Sequence, residues 1–304
     1  MIKPLQQFTI VFLLLFSCKA FSQTVAIPDI ENKTETEKSN TADNGTFKIG
    51  SKFVNNFVFY GRADTATTPL IMPEIKYTLS NGIFFSGSLY YDPKKKKGKI
   101  DGGELSGGYN FDITDNLSGG ASFTKMFYGS TSTQIASSIS SIINGNITYD
   151  IGDIISPSLS VDYNINDRQI NNDAIVSLDI SHDFLLKRIF GDKDQLTISP
   201  TITVNAGTEN FYDSYLINTK KIRGGNLSAN QANPIISAYI SKLSQFELLD
   251  FELSVPFEYK VGRFMFELTP TYAIVKNQLP PSISARLYNA ASIFYFEGGV
   301  FLEF

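Results

Sequence analysis

The sequence predicts an all-β fold, a transmembrane antiparallel up-and-down β-barrel of about twelve strands, and three observations lead there. Apolar and polar residues alternate with period two along most of residues 51–304, the repeat of a strand with one greasy and one wet face. The connections between these segments are short and long by turns. Past the leader no apolar run exceeds four residues, as at 57–60 and 293–296, whereas a membrane-spanning helix needs roughly 20. Composition agrees, since 25 Phe, 15 Tyr and 22 Gly with 42% hydrophobic residues exclude a disordered or collagen-like chain.

Residues 1–22 read as an export signal. Lys3 precedes the apolar run from Phe8 to Phe16, and Ala20-Phe21-Ser22 is a small-x-small cleavage site. Leu15-Phe-Ser-Cys18 also resembles a lipobox, which leaves lipidation at Cys18 open as an alternative. Cys18 is the only cysteine, so an intramolecular disulfide, thiol catalysis and Cys-rich metal sites drop out. Removing Lys3 and Lys19 makes the formal net charge of -4 two units more negative, and nucleic acid is not an expected partner. Residues 23–50, with the polar stretch from Glu31 to Gly45, read as a flexible periplasmic arm or a plug ahead of a barrel at 51–304.

The greasy faces define the strands in chain order. They are Phe53, Phe57 and Phe59; Ile71, Ile75, Tyr77 and Leu79; Ile83, Phe85, Leu89 and Tyr91; Leu105, Tyr109 and Phe111; Leu117, Ala121, Phe123 and Phe127; and Ile143, Ile147, Tyr149 and Ile151. The series continues with Ile155, Leu159, Val161 and Tyr163; Ala174, Val176, Leu178 and Ile180; and Leu196, Ile198, Pro200, Ile202 and Val204. It ends with Leu249 to Tyr259, Phe264 to Ile274 and Phe294 to Phe304, each read at every second residue. Lys125 is the one charge on a greasy face. A soluble β-sandwich also alternates, but its strands seldom reach ten residues so many times over.

Tight turns fall at 80–82, 114–116, 152–153 and 260–263, with longer polar loops between them, which is the asymmetry of a barrel with short periplasmic turns. The link from Asp183 to Gln195 is long for that rule, and Phe184 to Phe190 within it reads as an amphipathic segment at the inner interface or as packing on the rim. Even strand parity assigns Ile235 to Ser244 to a long outer loop near 207–245. Phe304 ends the last strand on the lipid side and looks like the signal read by the barrel-assembly machinery.

Tyr60-Gly61-Arg62, the segment from Leu249 to Pro256 and the segment from Phe266 to Ile274 resemble a largely uncharacterised family of outer-membrane β-barrel proteins of Bacteroidetes-type Gram-negative bacteria. The likeness covers roughly residues 50–304. It implies an outer-membrane location with lipid as neighbour, and supplies no catalytic residues.

With the apolar face toward lipid, the opposite face lines a lumen. It carries Glu74, Glu104, Asp112, Asp150, Asp162, Asp173, Asp179, Asp250, Glu252, Glu258, Glu267, Glu297 and Glu303, against the bases Arg62, Lys76, Lys260 and Arg263. An excess of carboxylates in a confined lumen concentrates cations, so the expected function is a passive channel or transporter for small cationic or neutral solutes. The alternative is a closed structural or surface-interaction barrel that meets a partner through its long outer loops.

Other chemistry finds little support. His182, the only histidine, falls at the periplasmic end, away from where an outer-rim lipase would need its base, and no enzyme is expected. The segment from Asp162 to Asp173 has oxygens at calcium-like spacing but lacks the glycine and final glutamate of an EF-hand loop. Neither a phosphate-binding glycine loop nor an HExxH motif is present, so no cofactor or metal is expected. Lys94 to Lys97 offer point charges to lipopolysaccharide phosphates, or simply form a hydrated loop.

Overall fold

The computed structural model describes residues 45–63, 68–96, 99–129, 132, 134–152, 154–166, 171–212, 241–278 and 290–304. The leader, Cys18, residues 23–44 of the arm, Lys97 and residues 213–240 of the long loop lie outside the described residues.

Twelve antiparallel strands close into one barrel. In chain order they are β1 (Thr46–Val54), β2 (Leu70–Thr78), β3 (Ile83–Tyr91), β4 (Ile100–Thr114), β5 (Leu117–Tyr128) and β6 (Ile139–Tyr149). There follow β7 (Ser156–Asn166), β8 (Asp173–Ser181 continued by Phe184–Lys187), β9 (Asp194–Ile198 and Thr201–Gly207) and β10 (Glu247–Ser254 and Phe257–Val261). The last two are β11 (Phe264–Val275) and β12 (Ser292–Glu303). The interruptions in β9 and β10 fall at Pro200 and Pro256, which have no N–H to give the ladder.

Each strand pairs with its sequence neighbour, and β12 pairs with β1 from Lys48 opposite Glu303 to Val54 opposite Glu297. Phe47 and Phe304 exchange both backbone bonds at the seam, at 3.0 and 2.9 Å. The strand set begins at Thr46, so residues 46–50, assigned to the arm from sequence, belong to the wall; Phe47 and Ile49 already face out and Lys48 faces in.

Outward side chains are the large apolar ones, and they are bare: Phe85 is 58% exposed, Leu105 59% and Ile202 53%. Such a belt around the whole wall would aggregate in water and is the lipid face of a transmembrane barrel. Lys125 does lie on this face, and its Nζ donates to Ser141 Oγ at 3.3 Å.

All short turns lie at one end and the long loops at the other. Gly82 (φ 89°) and Gly262 (φ 61°) occupy left-handed positions in two of the tight turns. The expected interfacial segment after Asp183 is instead a strand extension: Phe184–Lys187 pairs with Asp194–Ile198, and Asp194 accepts the N–H groups of Ile189, Phe190 and Gly191 at 2.7–3.0 Å to close the turn. Local pairing satisfies backbone groups that a segment lying along the interface would leave to solvent. Leu249, read as outward, sits in a bulge between Asn205 and Ala206 of β9 and is 1% exposed.

Arg placed at Leu268, which faces lipid, should cost about 2–4 kcal/mol near the midplane, whereas Arg at the inward Thr269 should cost little. Denaturant unfolding of the two variants in lipid vesicles measures the difference.

Candidate functional site

The loop from β1 to β2 folds back into the barrel. Val58–Phe59 and Arg62–Ala63 form a small hairpin, with Tyr60 (φ 48°) and Gly61 (φ 73°) as its two turn residues. Two consecutive positive φ values are the signature of a tight turn that favours glycine second. Asn56 Oδ1 accepts the Thr68 N–H at 2.6 Å, and Asn55 Oδ1 accepts that of Phe296 at 3.0 Å, which ties the loop's base to the wall.

The hairpin lies across the lumen in its long-loop half. Val58 and Ala63 are buried against Ala273, Val275, Ile293 and Tyr295, on the inner faces of β11 and β12. Phe59 meets the Phe211 ring edge-on at 4.7 Å. The Tyr60 hydroxyl reaches the far wall and donates to Asp162 Oδ2 on β7 at 2.9 Å, while Asn144 of β6 donates to Oδ1 at 2.8 Å. Burial holds the Tyr60 phenol well above its ordinary pKa, and the Asp162 carboxylate raises it further, so the donor keeps its proton. Phe57, Phe59, Leu70, Met72, Tyr90, Met126, Ile135, Ile139, Phe211, Tyr212 and Leu243 form one apolar cluster, a dry stopper inside an otherwise polar tube.

Arg62 fixes the hairpin from its other edge. Its Nε and one terminal nitrogen donate to the two Glu209 oxygens at 2.7 and 2.9 Å, it also donates to the Asn277 carbonyl, and its guanidinium lies 5.1 Å from the Tyr212 ring centroid. Both members of the pair are buried, with side chains 4% and 8% exposed. Glu209 was not singled out from sequence, because it lies in a loop beyond the alternating segments.

The predicted lumen residues separate by height. Glu74, Glu104, Asp162, Asp179, Asp250, Glu252, Glu258, Glu267 and Glu297 do share the inner wall with Lys76 and Lys260. Asp162, Asp179, Asp250 and Glu252 cluster on β7 to β10, where Thr203 donates to Asp179 at 2.5 Å and Asn205 to Asp250 at 2.7 Å. Asp173 is inward too, but it is a loop anchor: its two oxygens accept from Asn166, Thr208 and the backbone N–H groups of Asn210 and Phe211 at 2.6–2.8 Å.

Four predicted lumen residues lie on the short-turn rim instead. Asp112 is exposed there, Asp150 accepts from Ser156 at 2.7 Å, Arg263 lies over the Phe304 ring at 5.1 Å, and Glu303 is 3.9 Å from Lys260. Alternation specifies the side of a strand and not its height, which is why these were grouped with the lumen. Lys260 also pairs with Glu258 at 3.5 Å.

Lys48 and Lys52 are lumenal bases absent from the sequence reading; Lys48 was lost by starting the wall at residue 51, and Lys52, just inside that start, was not assigned to the lumen. Lys48 reaches over the Phe301 ring, 4.1 Å from its centroid, to Glu267 at 2.8 Å, and Lys52 pairs with Glu74 at 3.7 Å. The first pair spans the closure seam from inside, and the second ties β1 to β2. Lys95 pairs with Asp101, so the lysine run is partly committed to its own loop. His182 stands T-shaped to Phe184 at 4.3 Å, toward the short-turn end. Among the described residues no group of three or more His, Cys, Asp or Glu side chains is placed to hold a metal ion.

No protein-family profile and no curated protein matches the chain. Among solved structures it is similar to the KdgM porin (11% identity, TM-score 0.46, 85% of this chain and 99% of that chain). It is likewise similar to the NanC porin (9%, 0.41, 85% and 98%) and to LpxR from Salmonella typhimurium (9%, 0.42, 84% and 99%). At such scores the likeness decides nothing about residues or activity.

Replacing Arg62 by Ala strands a buried Glu209 carboxylate and should cost about 3–5 kcal/mol, and adding Glu209→Gln should recover part of that loss. Chemical unfolding of the single and double variants gives the comparison.

Proposed function

We propose that this barrel is an outer-membrane channel for small solutes, preferring cations, whose outer half is closed by the β1–β2 hairpin. The observation that carries the reading is the contrast between wall and stopper. The inner wall carries carboxylates, amides and hydroxyls along β7 to β10 and turns apolar where the hairpin seats, and what crosses the lumen is an inserted loop. A barrel kept only as a scaffold can fill its interior with wall side chains, whereas here the space is filled by an inserted loop, a part separate from the wall.

The cation preference rests on the carboxylates. Lys48, Lys52 and Lys260 each have a carboxylate partner on the wall, and Asp162, Asp179, Asp250 and Glu252 add four buried carboxyl groups beside the hairpin whose described partners include amides and hydroxyls and no lysine. In a low-dielectric tube such an excess draws cations in and repels anions. The short turns then face the periplasm, the long loops face outward, and Phe304, 56% exposed on the lipid side, is available to the assembly machinery.

In planar bilayers under a salt gradient, the wild type should open seldom, and a variant with residues 58–63 replaced by a short glycine linker should conduct steadily with a cation-selective reversal potential. Glu258→Gln together with Glu267→Gln should weaken that selectivity, because Lys260 and Lys48 are then left uncompensated. Silence from both wild type and linker variant, each verified as folded, would sink the channel reading and favour an interaction role for the long loop.

A further inference from the structure

The surroundings of Arg62 have the composition of a ligand site. A planar cation is gripped by both oxygens of one carboxylate, by a backbone carbonyl and by the face of an aromatic ring. Bidentate pairing with one carboxylate distinguishes guanidinium from a spherical ammonium or a metal ion, and the ring face adds a surface on which the planar cation stacks. Directly beside it a small pocket is lined by Glu209, Gln245, Asn277, Gln278 and the Lys242–Glu247 pair (3.3 Å) at the long-loop end, so the cradle borders the side from which an outside solute arrives. On the opposite flank Gly61 abuts Asp250, where a Cβ would come 3.0 Å from Oδ2, and that oxygen has no hydrogen-bond partner among the described residues.

We propose that Glu209, Tyr212 and the Asn277 carbonyl form a guanidinium-binding site at the outer mouth, which the channel's own hairpin occupies through Arg62 when shut. The proposal deepens the channel reading by naming a solute class, those bearing a guanidinium group, which compete with Arg62 for the cradle and in doing so release the stopper. Because Arg62 is tethered, its local concentration is of order millimolar or more, and a free competitor must exceed that in the wild type. Removing Arg62 uncovers the site.

Two readouts test this, and only one depends on conductance. Arg62→Ala protein in detergent is melted with and without methylguanidinium chloride, using sodium chloride and methylammonium chloride as ionic-strength and charge controls. Methylguanidinium should raise its melting temperature by about 2–4 °C while the controls do not, and the gain should vanish in Arg62→Ala/Glu209→Gln. No shift, or equal shifts in both variants or with methylammonium, overturns the site. In bilayers Arg62→Ala should conduct several-fold more than wild type, and methylguanidinium added on the long-loop side should alter that current while methylammonium does not. A melting shift with all variants electrically silent keeps the site and rejects the channel; conductance without a guanidinium-specific shift does the reverse.

Discussion

Inside a bilayer a peptide group finds no water to bond, and each unpaired N–H or C=O costs several kcal/mol. The pairing of β1 with β12 answers that constraint for the whole sheet, because only closure removes the two open edges a twelve-stranded sheet would have. Closure in turn divides the side chains. Alternate residues meet lipid and are mostly Phe, Ile, Leu, Val or Tyr; those between them face an enclosed space and include Ser, Thr, Asn, Asp and Glu. The seam is reinforced on its inner side by the Lys48, Phe301 and Glu267 stack, which spans β1, β12 and β11.

The enclosed space sets a second problem, since buried carboxylates need partners. On β7 to β10 amides and hydroxyls supply them, and the hairpin supplies one more through Tyr60. The hairpin is therefore held by two kinds of force. Its flanks are apolar and seated against β11, β12 and the long-loop root, while its tip and edge are polar and directional. The apolar contacts position it anywhere along a greasy patch, but the Tyr60 and Arg62 bonds specify a single seat.

The outward faces were legible because lipid imposes one rule on every second residue of every strand. The strand number and the handedness of short and long ends followed from the same rule. What failed to show was whatever depends on height or on tertiary return. Asp112, Asp150, Arg263 and Glu303 share the wet face with Glu252 but sit at the rim. Lys48, adjacent to a polar stretch, looked like tail, although Phe47 and Ile49 already flanked it in alternation. The run from Phe57 to Tyr60 looked like more strand, with Phe57 and Phe59 read as outward, whereas both are buried inside the barrel. Glu209 carried no local signal, since its role exists only once a loop 147 residues away in sequence returns to it.

The exchange of backbone bonds between Phe47 and Phe304 also bears on how the molecule comes to exist. A strand emerging from the ribosome early must wait for a partner translated much later, while its Phe47, Ile49 and Phe53 stay bare in an aqueous compartment. Such a chain needs an escort that shields greasy faces without letting them pair. A premature stop within β12 would yield no smaller barrel but an unsealed sheet, a template for aggregation with its neighbours.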